Sequence, residues 1–433
     1  MNDYLSTLTP DSFSGMIFAL EGVEHSVVLL NGPTGCKFYH SATSDNQTIK
    51  QFEFDPLNYS QKWYFGQPRV PCTYLDDGDY IYGSRDKLTE ALEYLCESVP
   101  FELLGIVNSP GAALIGDDLE GIALPILDDR PLVALETPGF SSNVCVGYEF
   151  AAMELTKKIA LNETNKTPEK LPGAVNLLGI SIFHKHYAGD LDEITHLFSL
   201  CDIDVNCALC ANSSLESIRA LGAASLNVVI YPEYGLQTAQ FMEEQFAIPY
   251  YVCDGPPIGF AATEKFITDV CALLNKDASP VITKSEQARA LAYAHLSRVN
   301  SLTGLPKGVE FALEGTYSEL YAYAGFLLHY FGMVLECVSV LNPQSDCFKD
   351  RLATLLSDRG FANALNQDIL RTESELVFGS GTTIAALKLR HHEFVGIESC
   401  LPTIGYIDVI PKTHLGIQGS LLLVEQVLNG LLF

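Results

Sequence analysis

A chain of 433 residues is too long for one ordinary core, and at roughly 100–200 residues per domain it predicts about three domains. With 53 acidic against 26 basic side chains its net charge is −27, which argues against nucleic acid or an anionic membrane surface as a partner. The longest apolar run, residues 419–427, carries Glu425 and is too short to span a bilayer; the start MNDYLSTLTPDS lacks the regions of a secretory signal. A cytoplasmic protein is expected, with its twelve cysteines reduced, most of them packed as small core residues and some free to bind metal.

Short runs rich in Val, Ile and Leu alternate with stretches of helical period, the pattern of parallel strand–helix units. Strands are predicted at 26–31, 103–108, 132–136, 175–181, 205–209, 226–231, 333–340, 375–379 and 394–398. Helices are predicted at 87–96, 191–199, 214–221, 238–246 and 318–331. Polar segments at 161–173 (LNETNKTPEKLPG) and 275–280 (NKDASP) divide the array, and a long helix should follow the second. The expected fold is therefore α/β, three Rossmann-like domains with small parallel sheets over residues 1–165, 166–280 and 281–433. In such sheets ligands gather beyond the carboxyl ends of strands, so the loops that follow strands are the candidates for chemistry.

The first strand, SVVLLN, runs into Gly32-Pro33-Thr34-Gly35-Cys36 and a helical stretch. A thiol at a helix N-terminus gains thiolate character, the form that binds metal or attacks; read locally, the same pattern is also a tight turn with an incidental cysteine. GPTGCKF is no P-loop, lacking the spacing and the Lys-Ser/Thr pair. Cys72 sits in an acidic, turn-rich segment. The loop at 108–118 carries Asp117 and Asp118, either of which can cap the next helix. A third loop, 137–142, leads towards Cys145, and the three loops should converge at one sheet edge. Other features are weaker. Cys207 and Cys210 have CxxC spacing but fall on a predicted strand, which favours core packing. Gly379-Ser380-Gly381 lacks the third glycine of a dinucleotide fingerprint. His184 and His186 follow a strand and could reach a ligand, but are read as surface histidines; His391-His392 is read as a polar helix–strand connection.

Together these loops resemble the nitrogenase component 1 family, which includes dark-operative protochlorophyllide reductase and the nickel-sirohydrochlorin reductive cyclase. NGPTGC (residues 31–36) is similar to the family's H-G-P-x-G-C turn, whose cysteine ligates an iron–sulfur cluster at the subunit interface. TYLDDGDYIYGS (73–84) resembles its acidic segment, LIGDDLEGI (114–122) its L-I-G-D-D stretch and TPGF (137–140) a further loop. MEEQFAIPY (242–250), FGMVLECVSV (331–340) and LGIQGSLLLVEQVLN (415–429) resemble segments of the middle and closing domains.

The resemblance implies a subunit that receives electrons from an ATP-dependent iron–sulfur reductase through an interface cluster. It also implies departures. The family's first cluster cysteine falls here near Asp11 and its third at Pro110. The active-site cofactor's cysteine falls near Tyr231 or Pro232, and its histidine at Leu415, one residue from His414. No nitrogenase active-site cofactor, and no dinitrogen reduction, is expected. The implied cluster is a 4Fe–4S centre shared across a homodimer, heterodimer or heterotetramer. Cys36, Cys72 and Asp11 are its candidate ligands, and Gly32, Gly35, Pro110 and Gly139 line its loops. The substrate, reached by electrons from the cluster, would lie between domains, beside residues 182–189 and 231–236. A non-catalytic scaffold or assembly subunit for a cluster or cofactor is the alternative.

Overall fold

The computed structural model describes residues 10–36, 70–136, 142–161, 169–342, 348–390, 393–401 and 408–432. Gly139 with the rest of 137–141, the segment following Cys36, and His391 and His392 lie outside the described residues.

Eleven strands among the described residues form three separate sheets, and every pairing is parallel. The first holds β1 (Ser26–Asn31), β2 (Leu103–Asn108) and β3 (Leu132–Leu135) in the order β1-β2-β3. The second holds β4 (Ala174–Leu178), β5 (Asp204–Ala208), β6 (Leu226–Val229) and β7 (Tyr250–Val252), ordered β5-β4-β6-β7. The third holds β8 (Glu310–Gly315), β9 (Val334–Val340), β10 (Leu376–Ser380) and β11 (Val395–Cys400), ordered β11-β10-β8-β9. The α/β class with small parallel sheets is thus as the sequence predicts. β1 and β2 are buried at all six positions, which is why they read as continuous apolar runs and not as alternating ones.

Two strands escape the sequence reading. β7 is three half-buried residues at a sheet edge, and β8 (EFALEG) carries two glutamates, one of them buried. The helices Ser12–Glu21 and Val144–Leu155 escape it as well. The first is buried along its whole length and the second on most of it, so neither shows a polar stripe. They cross at glycines: a Cβ on Gly15 would lie 2.1 Å from the Val144 carbonyl oxygen, and one on Gly147 1.9 Å from that of Ser12. The helix Ser279–Thr303 starts within the second predicted linker. No described helix is long and apolar enough to cross a membrane.

Candidate functional site

β1 ends at Asn31, and a buried polar network clamps the loops beyond it. Asn31 donates to Asn108 Oδ1 (2.8 Å) and to Ser84 Oγ (3.2 Å), and accepts from Thr73 Oγ1 (2.9 Å). Ser84 donates through N–H and Oγ–H to Asp117, at 2.6 and 2.8 Å. Asp118 caps the helix Leu119–Ala123, so the two adjacent aspartates divide bracing and capping between them. Gly32 is demanded by close approach, because its Cβ would stand 2.5 Å from Ser109 Oγ.

This clamp brings Cys36 and Cys72 to one edge. Leu30 and Cys72 form a parallel bridge alongside β1, so Cys72 is a fully buried extension of the sheet and not a loop thiol. Its Sγ lies 3.1 Å from the Gly32 carbonyl oxygen and 3.9 Å from that of Pro33. The Cys36 backbone N–H donates to the same Pro33 carbonyl (3.2 Å), so the Cys36 backbone and the Cys72 sulfur share one peptide unit. Cys36 itself is half-buried. Contrary to the thiolate expected at a helix N-terminus, burial, with the Asp11 carboxylate adding to it, pushes the Cys36 thiol up.

Asp11 caps the helix Ser12–Glu21 through Oδ1, which accepts from Ser14 N–H (3.1 Å). Pro110 follows the capping Ser109 as the first residue of a short helix and is buried. Gly35 is exposed, with open space where a Cβ would stand. Sequence reasoning missed Tyr80. Its phenol bonds to Ser109, its ring lies 3.1 Å from a Cβ on Gly111, and both thiols help to push its ionisation up after burial. Around this edge Ile81, Tyr82 and Leu114 are 74%, 89% and 85% exposed, a cluster of large apolar side chains turned to solvent. Among the described residues no group of three or more His, Cys, Asp or Glu side chains is gathered to hold a metal ion.

A second feature is a cavity of ≈ 330 Å³ where the second and third sheets meet. In each of those sheets the strand order reverses, between β4 and β6 and between β8 and β10, which is where parallel sheets open a crevice. His184, beyond β4, and Tyr234, beyond β6, line the cavity from one crevice; Glu314, Ser380 and Thr383 line it from the other. The sequence reading places His184 and His186 on the surface, and the structure corrects this. Both are buried: His184 stacks on Tyr231 at 4.2 Å, and His186 Nδ1 meets Asp408 at 2.7 Å. His414, near the position expected for a cofactor histidine, is bonded at both nitrogens, by Tyr323 (2.6 Å) and Gln426 (2.9 Å). Cys207 and Cys210 are core residues, with Cys210 turning off β5 at φ 59°.

A family model for nitrogenase component 1 type oxidoreductases matches residues 12–432. The chain belongs to that family. Among curated relatives it is 30% identical over 225 residues to a light-independent protochlorophyllide reductase subunit from Bradyrhizobium sp. (strain BTAi1 / ATCC BAA-1182), covering 51% of this chain and 43% of that one. It is 33% identical over 207 residues to the like-named polypeptide from Cereibacter sphaeroides (strain ATCC 17025 / ATH 2.4.3), covering 48% and 38%. The matches thus span less than half the length of these relatives. A solved nitrogenase Cp1 structure at pH 6.5 superimposes with a TM-score of 0.78 over 98% of this chain and 92% of that one, at 15% identity. That likeness shows a nitrogenase component 1 fold.

Proposed function

We propose that this chain is the component 1 subunit of a nitrogenase-like reductase, taking electrons from an ATP-dependent iron–sulfur reductase through a 4Fe–4S cluster shared with a second subunit. One observation carries the reading: the Cys36 N–H and the Cys72 sulfur share the Pro33 carbonyl, in a part of the fold where Ile81, Tyr82 and Leu114 are exposed. Thiolates suit iron–sulfur ligation, and two per chain make half of a four-sulfur set, which a subunit docked on Ile81, Tyr82 and Leu114 completes. Asp11 stands beside Cys36 as the oxygen donor. When bound, such a cluster accepts and passes on single electrons.

The chain's own residues do the remaining work. The Asn31–Ser84–Asp117 network fixes the two cysteine loops, and Tyr80 covers the edge between them. Substrate occupies the cavity beside His184 and Tyr234. Adding electrons to a substrate calls for protons too. Glu319 lines the cavity, its acid pushed up to about 7 by burial, while Thr316 N–H and Oγ–H donate to its Oε2. A carboxyl group so poised holds a proton at working pH and can release it. Pro110 and Asp11, standing where the family's pattern has cysteines, favour a second reading, a scaffold that carries a cluster without turnover.

Anaerobic purification with iron and sulfide analysis, then electron paramagnetic resonance with and without the ATP-dependent reductase, tests both. About two irons per chain, and a signal that changes with ATP, support the reductase. A cluster that never accepts electrons supports the scaffold, and a colourless, iron-free protein after reconstitution sinks both.

A further inference from the structure

The same cavity carries information about what it admits. At the carboxyl ends of β8 and β10, two helices begin with their N-termini towards the crevice, where phosphates and carboxylates of ligands commonly bind. In this chain its own acids already hold both positions. At the helix Gly381–Leu389, Glu314 Oε2 accepts from Ser380 N–H (2.9 Å) and Oε1 from Thr383 Oγ1 (2.9 Å). At the helix Tyr317–Phe326, Glu233 accepts from Ser318 N–H (2.8 Å) and Oγ–H (2.6 Å), and Glu319 from Thr316 N–H (2.8 Å).

Glu314, Glu319 and Asp368 line the cavity, and no lysine or arginine does so among the described residues. The segments 1–9, 137–141, 343–347 and 402–407, which adjoin its lining in sequence, contain no lysine or arginine either. An anion brought here would face carboxyl groups, with no cation among the described lining residues to offset its desolvation.

Two buried polar groups of the lining have no hydrogen-bond partner, His184 Nε2 and Thr382 Oγ1. His184 Nδ1 accepts from Ser181 N–H (3.1 Å), which assigns the ring proton of the neutral imidazole to Nε2. Burial holds that ring neutral by pushing its ionisation down to about 3. A buried donor left without an acceptor is costly, so the site is arranged for a group that accepts.

We infer that the cavity between the second and third sheets binds a small uncharged ligand with an amide-like group, which accepts from His184 Nε2–H and Thr382 and donates to the cavity carboxyls, and that it rejects carboxylates and phosphates. The ligand is the substrate only if the reductase reading holds; the charge selection itself depends on the cavity alone.

Benzamide, benzoate and benzamidinium share a shape and differ in charge, so titrating each into the full chain by ligand-observed NMR reads the selection directly. Benzamide is expected to bind at least about tenfold tighter than benzoate. His184→Phe, which keeps a ring on Tyr231, and the isosteric Thr382→Val should each weaken it about tenfold or more; Ala386→Phe, which fills the cavity, should abolish it. The proposal is overturned if benzoate binds as well as benzamide, or if none of the three binds. It is equally overturned if benzamidinium outbinds benzamide tenfold, or if benzamide ignores both single-group variants in protein whose circular dichroism is native. Failure of ATP-driven reduction with the benzamide preference intact removes the reductase reading and leaves this one standing.

Discussion

Cys36 was the most legible chemical residue in the chain, and its partner was the least. Glycines around a thiol after an apolar strand announce a turn, whereas nothing local in VPCTYLDD says that Cys72 extends the sheet beside Leu30. Gly32 belongs to the same contact. Gly32→Ala puts a methyl group 2.5 Å from Ser109 Oγ, and a loss of about 1–3 kcal/mol in denaturant unfolding is expected; an unchanged midpoint would mean that the two loops part freely. Another residue-scale prediction concerns Glu149, which is buried and accepts from Gln237 N–H (2.7 Å). Burial raises its acid from 4.5 to about 8. A carboxyl whose folded value is raised binds its proton more tightly in the folded state. Its contribution is therefore full below about pH 4.5 and is lost as pH rises through about 8. Glu149→Gln should flatten that decline when unfolding midpoints are compared from about pH 5 to about pH 8; parallel profiles for the two proteins would rule the group out.

Among elements, what sequence patterning reveals depends on whether a polar face exists. The helix Arg85–Ser98 has an exposed face and shows its period; Ser12–Glu21 has none and was invisible. Because that helix meets Val144–Leu155 through Gly15 and Gly147, their spacing rests on the absence of two methyl groups. Gly147→Ala should cost at least about 2 kcal/mol, since the clash is with backbone on both sides and cannot be relieved by a rotamer change. Thermal unfolding that stays within error of the parent would show that the pair slides apart easily. The buried glutamate of β8 hid that strand in the same way, since Glu314 serves the N-terminus of a helix that follows a neighbouring strand, which no local window contains.

At the scale of the whole molecule, the exposed apolar edge is the surface on which the proposed second subunit docks. Ile81→Asp combined with Tyr82→Asp should shift sedimentation towards the monomer by placing two charges in a dry contact, and iron retained per chain should fall with it. Cys36→Ser in the intact assembly should lose iron without changing the sedimentation profile; iron retained at the parental level would remove Cys36 from the ligand set.

By itself the sequence determined the α/β class, the parallel sheets, the family and the turn that carries Cys36. Each of these is written in local periodicity, or in short motifs that the backbone needs at a turn. Only the tertiary structure decided that Cys72 joins Cys36 at Pro33, that His184 is buried with a donor to offer, and that carboxylates fill the helix N-termini of the cavity. The partners in those contacts lie as much as 85 positions apart along the chain, as Ser318 and Glu233 do. Burial and hydrogen bonding at such separations depend on how whole sheets pack, which no stretch of sequence encodes alone.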